Sequence, residues 1–226
     1  MPTGNLPDIK IISSCTGNKC LKGDLTENQL RSFLKTGCFS DELATIKASE
    51  LYTGMQHRYL MQGISYYRKC GGKIRLKIVS AGLGLVDEND KIPPYDYTFS
   101  GKSAKKILQK GIELGIPEKI SEFLSEPSEL TVFLLGNSYL TAANLNQVLP
   151  DGRYVFLAAP SGKLPPGVLH LKLGMDEARR FGATLVSLKG YLVKILLKKM
   201  CEMPEQTMEI FTSGNPQASL AFLEDK

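Results

Sequence analysis

Three short stretches of the sequence place polar and potentially reactive side chains directly after an apolar run. In the first, SSCTGNKC (13–20), Gly17 allows backbone N–H groups to face an anion, and Lys19 adds a positive charge. Cys15 is a candidate nucleophile. The stretch is not a Walker loop, since GxxxxGK[ST] is absent. It predicts a phosphate-binding turn; the alternative is a plain strand-to-helix turn with a surface lysine and a packed cysteine.

The second stretch, SAGLGLVDENDKIPPYDYTF (80–99), reads as a long polar loop after an apolar run. Gly82 and Gly84 permit a positive φ or a close backbone approach, and two prolines stiffen the return to Tyr95. The ring of Tyr95 can stack on a base, and Asp96 can act as a general acid or base. Loops of this length in compact domains are usually functional or mobile, so a ligand pocket is predicted. The alternative is that the loop only wraps the sheet edge.

The third stretch, LLGNSYL (134–140), places Gly136 and Tyr139 at the start of a predicted helix, where backbone donors favour an anion or a ligand carbonyl. Simple capping by Asn137 or Ser138 is the alternative. His57 lies near Tyr52 and is a candidate general acid or base. A histidine at position 170 lies in an apolar run and is expected in the core.

No metal site and no cofactor are predicted. The acids of DENDKI (87–92) lack the spacing of an EF-hand calcium loop. The five cysteines are scattered, and Cys15 and Cys20 have neither a CxxC motif nor a histidine-rich partner. Reduced, mostly packed thiols are therefore expected.

The totals are those of an ordinary globular protein. The chain has 226 residues, of which 42% are hydrophobic and 23% charged, and a formal net charge of +5. That charge permits an anionic ligand and only slightly favours nucleic acid. No apolar run approaches the roughly 20 residues of a membrane span, and the N-terminus lacks a secretory pattern. We expect no membrane association and a cytoplasmic location.

Hydrophobic patterning predicts strands that alternate with helices. Strands are predicted at 9–15, 74–81, 129–136, 153–160 and 168–173. Helices are predicted at 24–36, 40–54, 55–70, 103–114, 117–126, 138–149, 175–182 and 185–203. This order predicts an α/β fold with a mostly parallel or mixed sheet flanked by helices, in a single domain over residues 1–226. Ligands bind such sheets at the carboxyl ends of the strands, where all three polar stretches lie.

Taken together, these residues resemble the YaaA-like superfamily, named for the peroxide stress proteins, and especially its shorter, mostly uncharacterised members. The resemblance covers about residues 9–140, whereas residues 150–226 are not placed on the family pattern; their C-terminal helical part, 174–226, is expected to pack on the core. Its elements are Cys15 with Thr16 and Lys19, then LYTG (51–54), VSAGLGLV (79–86), PYD (94–96), and Gly136 with Tyr139. The resemblance implies that the matched strand ends form one cleft.

Cys15, Thr16 and Lys19 also look like the start of the archaeosine synthase core, an enzyme that adds lysine to a deazaguanine base in transfer RNA. The Lys-Pro-Tyr that follows there and an RNA-binding appendage are both absent from this chain. The peroxide stress proteins are linked to DNA binding and protection from iron-driven damage.

The first functional hypothesis is a protein that binds or modifies a nucleotide, a nucleobase or a nucleic acid. The candidate catalytic residues are Lys19, Asp96 and Cys15. The candidate ligand contacts are Thr16, Tyr52, Gly54, Ser80, Gly82, Gly84, Tyr95, Gly136 and Tyr139. The expected partner is a small nucleotide or nucleobase, with DNA or RNA as a further candidate.

A second hypothesis is a non-enzymatic DNA-binding or stress-protection protein that uses a helical hairpin at 103–126. Lys105, Lys106, Lys110 and Lys119 lie around its Gly-Ile-Pro turn, but the Pro-Gly-x-Gly hairpin that grips phosphate is absent. A third is a structural or partner-binding protein whose cleft is vestigial. The sequence does not specify the oligomeric state, nor whether any substrate is turned over.

Overall fold

The computed structural model describes residues 6–23, 25, 28–30, 32, 44–145 and 149–224. Most of the helix predicted at 24–36, the first residues of the one predicted at 40–54, and residues 146–148 lie outside the described residues. The remaining predictions can be compared with the structure element by element.

A six-stranded mixed sheet forms the centre of the fold, in the order β4-β3-β1-β6-β7-β8. Its strands are β1 (Ile9–Ser14), β3 (Ile74–Ser80), β4 (Gly84–Asp87), β6 (Leu130–Leu134), β7 (Tyr154–Ala158) and β8 (Leu169–Lys172). Four neighbouring pairs are parallel, and β3 with β4 is antiparallel. β1, β6 and β7 are buried along their whole length, as expected for β-branched and aromatic runs covered on both faces. The α/β prediction is confirmed.

The strand order changes direction at β1, because β3 lies on one side of it and β6 on the other. In sheets of this kind the loops that leave neighbouring strands in opposite directions open a crevice at the carboxyl ends. The ends of β1, β3 and β6 therefore border the place where a ligand is expected.

Two pairs of the described helices pack closely together. They are α1 (Ala48–Leu51), α2 (Met55–Lys69), α3 (Ala104–Glu113), α4 (Ile116–Ser125), α5 (Asn137–Ala143), α6 (Met175–Arg180), α7 (Leu188–Glu202), α8 (Pro204–Thr212) and α9 (Pro216–Glu224). α2 packs along α7, and α3 packs against α5. The helical hairpin predicted at 103–126 is present as α3 and α4, joined by Gly115 in the left-handed conformation.

The long loop expected after β3 is in part regular structure. The chain turns at residues 81–83 and returns as β4, an antiparallel edge strand, so that Ser80 pairs with Gly84. Gly84 has a φ of +83°, and a Cβ there would lie 2.8 Å from the carbonyl oxygen of Leu114, so only glycine fits without strain. β5 (Lys91–Ile92) then pairs antiparallel with β2 (Ile46–Lys47).

The acids of this segment fasten it to the fold. Both carboxylate oxygens of Glu88, a residue only 6% exposed, accept hydrogen bonds from the guanidinium of Arg68 on α2. Asp87 forms an ion pair with Lys77, with 3.1 Å between Asp87 Oδ2 and Lys77 Nζ. Asp90 accepts a hydrogen bond from the Asp87 N–H at 2.7 Å. These contacts fix the direction in which the chain returns toward the strand ends.

Within the residues that the structure describes, every helix is too short or too polar to cross a lipid bilayer.

Candidate functional site

Three buried hydroxyl groups lie in a chain at the carboxyl end of β3. The Tyr95 hydroxyl is 2.6 Å from Ser80 Oγ and 2.9 Å from the Tyr52 hydroxyl, and either oxygen of each pair can be the donor. Ser80 Oγ also accepts a hydrogen bond from the Leu83 N–H, at 3.0 Å. Ser80 ends the strand, Tyr95 follows β5, and Tyr52 follows α1. The chain of hydroxyls therefore ties three distant segments together.

The phenols of this network are neutral at physiological pH. Burial raises the pKa of Tyr52 well above its ordinary value, the nearby Cys15 raises it further, and hydrogen bonds to Tyr95 and Ser80 oppose the rise. Burial also raises the pKa of Tyr95, again with a contribution from Cys15. Neutral phenols can donate hydrogen bonds but cannot act as bases, so general base chemistry has to come from another group.

Cys15 and Tyr139 form a second, partly buried contact next to this network. Cys15 follows β1, and its Sγ lies 3.1 Å from the hydroxyl of Tyr139 on α5. The Tyr139 ring packs edge-on against Phe99, with ring centroids 5.3 Å apart. Burial raises the pKa of Tyr139, and Cys15 raises it further. The pair closes the space between the ends of β1 and β6.

The loop after β1 is held by its own side chains. Thr16 Oγ1 donates to the Asn18 carbonyl at 3.0 Å and accepts from the Gly54 N–H at 3.1 Å. The Thr53 N–H donates to the same Asn18 carbonyl at 2.9 Å. The loop therefore runs directly beside the start of α2, which brings Lys19 next to Tyr52 as an isolated β-bridge partner.

Lys19 lies over the ring of Tyr95. Its Nζ is 4.5 Å from the ring centroid, a distance at which a cation is attracted to the face of the ring. A Cβ at Gly82 would lie 2.9 Å from Cδ2 of the same ring, so glycine is required for the ring to occupy this position. The ring thus contacts both Lys19 and Gly82, and its hydroxyl is held by two hydrogen bonds.

Above the ring is an open cleft of about 750 Å³, within the size range of small-molecule sites. Its lining carries three cations, Lys19, Lys22 and Arg58, and one carboxylate, Asp96. The remaining lining residues are Gly17, Asn18, Leu21, Gly23, Thr53, Met55 and Tyr95. Leu21 is 43% exposed and Met55 45%, so the cleft also presents apolar surface to solvent. Charge and apolar surface together suit an amphipathic anion.

The structure brings together some of the predicted site residues and separates others. Lys19, Tyr95 and Asp96 line the cleft. Below it, five predicted residues support the lining without reaching it: Thr16, Tyr52, Gly54, Ser80 and Gly82. Cys15 and Tyr139 contact each other in the neighbouring buried pair. Gly84 lies against α3 at the sheet edge, and Gly136 is the N-cap of α5, away from the residues that line the cleft.

Two of the proposed roles change with these positions. The rings of Tyr52 and Tyr95 are 2% and 1% exposed, so neither offers a free face on which a base could stack. Cys15 is buried and bonded to Tyr139, and it is not among the residues that line the cleft. Of the predicted catalytic residues, Lys19 and Asp96 therefore line the cleft, and Cys15 does not.

Lys22, Arg58, Leu21 and Met55 were not predicted from the sequence. Arg58 donates its backbone N–H to the Gly54 carbonyl in the first turn of α2, which places it beside the predicted Tyr-Thr-Gly segment. Arg58 lies four residues after Gly54, about one helical turn, and this spacing is the feature of the sequence that could have indicated it. Lys22 and Leu21 lie just beyond Lys19 in the same loop, and only the folding of that loop over α2 gives them a shared surface.

His57 is a buried packing residue. Its Nε2 lies 2.8 Å from the Ser49 carbonyl, which can only accept, so Nε2 carries the proton and Nδ1 is bare. Nδ1 is buried and has no hydrogen-bond partner among the residues described. Burial lowers the pKa of His57, and the Ser49 carbonyl and Glu88 oppose that shift. The neutral ring packs edge-on against Tyr52, with centroids 5.9 Å apart.

No model of a known protein family matches the chain, and no curated protein matches it.

Proposed function

We propose that the protein is YaaA-like and that the cleft over Tyr95 binds a nucleotide or nucleobase as a substrate or an effector. The observation that carries the proposal is the composition of the cleft: three cations, one carboxylate and exposed apolar surface lie around a single opening at the strand ends. These are the groups that the phosphate, the base edge and the base face of a nucleotide require.

The phosphate end is assigned to Lys19, Lys22 and Arg58. Lys19 is held over the Tyr95 ring, whereas Lys22 and Arg58 are exposed at the cleft and free to turn toward an anion. Arg58 can hold two phosphate oxygens at once through its planar guanidinium. Gly17 and Asn18 contribute backbone to the same wall. The phosphate-binding turn predicted from SSCTGNKC is thereby extended to include the first turn of α2.

The base end is assigned to Leu21, Met55 and Asp96. A methionine side chain adapts to flat aromatic surfaces, and Met55 with Leu21 supplies the exposed apolar contacts of the cleft. The Asp96 carboxylate can accept hydrogen bonds from ring N–H or amino groups of a base, or from sugar hydroxyls. Among the described residues that line the cleft, Asp96 is also the one acid, so any proton transfer from a bound base is assigned to it.

The experiment is a thermal-shift screen of nucleotides, nucleosides and purine bases on the full chain, followed by titration of the best ligand. Binding to the folded state raises the melting temperature in proportion to the logarithm of ligand concentration. We expect Lys22→Ala to weaken binding of phosphate-containing ligands roughly tenfold or more, with a smaller effect on nucleosides. Asp96→Asn should weaken all ligands that carry the base.

The matched control is the double variant Lys105→Glu/Lys106→Glu, which reverses two exposed charges at the start of α3. The cleft proposal expects no change in nucleotide affinity, whereas the hairpin hypothesis expects loss of DNA affinity and of its salt dependence. Lys110, the third lysine of that helix, is buried beside Tyr97 and cannot reach a DNA backbone. If no member of the panel shifts the melting temperature, the nucleotide proposal is abandoned.

A further inference from the structure

α2 and α7 lie side by side and run in the same direction. A Cβ at Gly190 near the start of α7 would lie 2.0 Å from the carbonyl oxygen of Gln56 near the start of α2. Further along, a Cβ at Gly63 would lie 2.8 Å from the Cα of Lys194. Both glycines therefore allow the two helix backbones to approach closely, and residue numbers rise together along the pair.

The same register, followed further along the helix pair, brings two thiols to one level. Cys70 is the C-cap of α2, and Cys201 lies in the last turn of α7; each is about two helical turns beyond the Gly63–Lys194 contact. The Cys70 thiol is among the groups that raise the pKa of Cys201, as expected of a near neighbour. Cys70 is exposed, whereas Cys201 is buried. An accessible thiol and an inaccessible one thus lie at the same level, at the end of a close-packed helix pair.

We propose that Cys70 and Cys201 form a redox-active dithiol that reacts with small disulfides such as oxidised glutathione and closes into a disulfide between α2 and α7. The register of the two helices brings both cysteines to the same end of the pair, and Cys70 is the C-cap of α2, where its side chain can rotate without disturbing the sheet. The proposal does not depend on the ligand of the cleft.

The reaction proceeds in two balanced steps. The Cys70 thiolate attacks one sulfur of the small disulfide, forms a mixed disulfide and releases one thiolate. Cys201 then attacks the Cys70 sulfur, the second small thiolate leaves, and the Cys201 proton passes to it. The protein loses two hydrogen atoms and the disulfide becomes two thiols. Burial, followed by the neighbouring Cys70 thiol, raises the pKa of Cys201 to about 12, so the exposed Cys70 is the residue that reacts first.

The cross-link would connect positions far apart in sequence. It joins the C-terminal end of α2, whose first turn carries Met55 and Arg58 of the cleft, to the last turn of α7. A closed loop of well over a hundred residues restricts the unfolded chain strongly. We expect oxidation to raise the melting temperature by roughly 5–15 °C and to leave the far-UV circular dichroism spectrum unchanged.

The test uses the reduced full chain, incubated with oxidised glutathione, alkylated, and digested with trypsin without reduction. Cleavage after the flanking lysines releases residues 70–73 and 200–226, and the expected product is these two peptides linked by a disulfide. Dithiothreitol should release both and reverse the thermal shift. Cys70→Ser should remove the cross-link and the shift. Cys20→Ser, which removes another exposed thiol, should retain both.

Cys201→Ser separates the two chemical steps, since it should stop at the mixed disulfide on Cys70. Three results would overturn the proposal: glutathione that stays on Cys70 of the unaltered chain, a disulfide from Cys70 to Cys15, Cys20 or Cys38, or no reaction of Cys70. Limited proteolysis of the folded protein should give the same fragments before and after oxidation. Fragments that appear only after oxidation would show that the disulfide forms in an unfolded chain, and they would equally refute the proposal.

Discussion

The hydroxyl chain beneath the cleft predicts that substitutions of Tyr95 and Tyr52 are coupled. In Tyr95→Phe the central hydroxyl is lost, and with it the 2.6 Å bond to Ser80 and the 2.9 Å bond to Tyr52. Each hydrogen bond contributes about 1 kcal/mol net, and a buried group left without its partner costs about 1–3 kcal/mol. Ser80 keeps the bond from Leu83, so we expect a loss of about 2–3 kcal/mol in the free energy of unfolding.

In Tyr52→Phe only the terminal hydroxyl of the network is removed, and the Tyr95 hydroxyl keeps its hydrogen bond to Ser80. The expected loss is about 1 kcal/mol. In the double variant no unpartnered Tyr52 hydroxyl remains, so the second substitution should cost almost nothing. The coupling free energy between the two positions is therefore expected at about 1 kcal/mol, above the roughly 0.3–0.5 kcal/mol scatter of independent sites.

The measurement is urea unfolding followed by far-UV circular dichroism, since the chain contains no tryptophan and the variants alter tyrosine fluorescence. Tyr66→Phe is the matched control, because its ring is exposed and should leave stability within about 0.5 kcal/mol of the parent. Strict additivity of the two buried substitutions, or a larger loss for Tyr52→Phe than for Tyr95→Phe, would refute the hydroxyl chain.

Two further predictions follow from neighbouring residues. Gly82→Ala should destabilise the protein by about 1–3 kcal/mol and weaken ligand binding, because the new Cβ would push the Tyr95 ring from beneath Lys19; equal stability in urea would contradict this. His57 has a lowered pKa in the folded state, so its contribution to stability is complete above about pH 6.5 and is lost as pH falls toward the folded pKa. His57→Gln keeps an N–H donor for the Ser49 carbonyl and should flatten the fall in melting temperature between pH 7.5 and 5; an unchanged slope would exclude His57 as its source.

Three strands of the sheet could be predicted because apolar and β-branched residues predominate in them. These are the short runs β1, β6 and β7, and the predicted bounds differ from the observed ones by at most two residues. β4 could not be predicted, since Gly-Leu-Val-Asp offers one β-branched residue and begins with a glycine. Its strand conformation comes from pairing with β3, which is tertiary information.

The sequence indicated which segments border the cleft, but not which of their side chains line it. Polar residues after β1 and β3 pointed to the strand ends, and the strand order at β1 accounts for their meeting. The sequence could not show which of these side chains are buried. In the sequence, tyrosines near strand ends look like ligand contacts. In the structure, Tyr52 and Tyr95 are buried, and Tyr95 lies against Lys19 and Gly82. Arg58 and Lys22, which look like ordinary surface charges, acquire a shared surface only once the loop lies over α2.

The burial of the phenols also determines which groups can meet the charge of a ligand. The pKa values of Tyr52 and Tyr95 are raised by burial, so the network remains neutral, and its hydroxyls already bond to one another. The proposed function therefore assigns the phosphate of a ligand to the cations above. A substitution in the network should change affinity only through the position of Lys19 over the Tyr95 ring. Lys22→Ala should lower affinity without changing stability, whereas Tyr95→Phe should lower stability first; comparing the two separates the groups that bind from the groups that hold them in place.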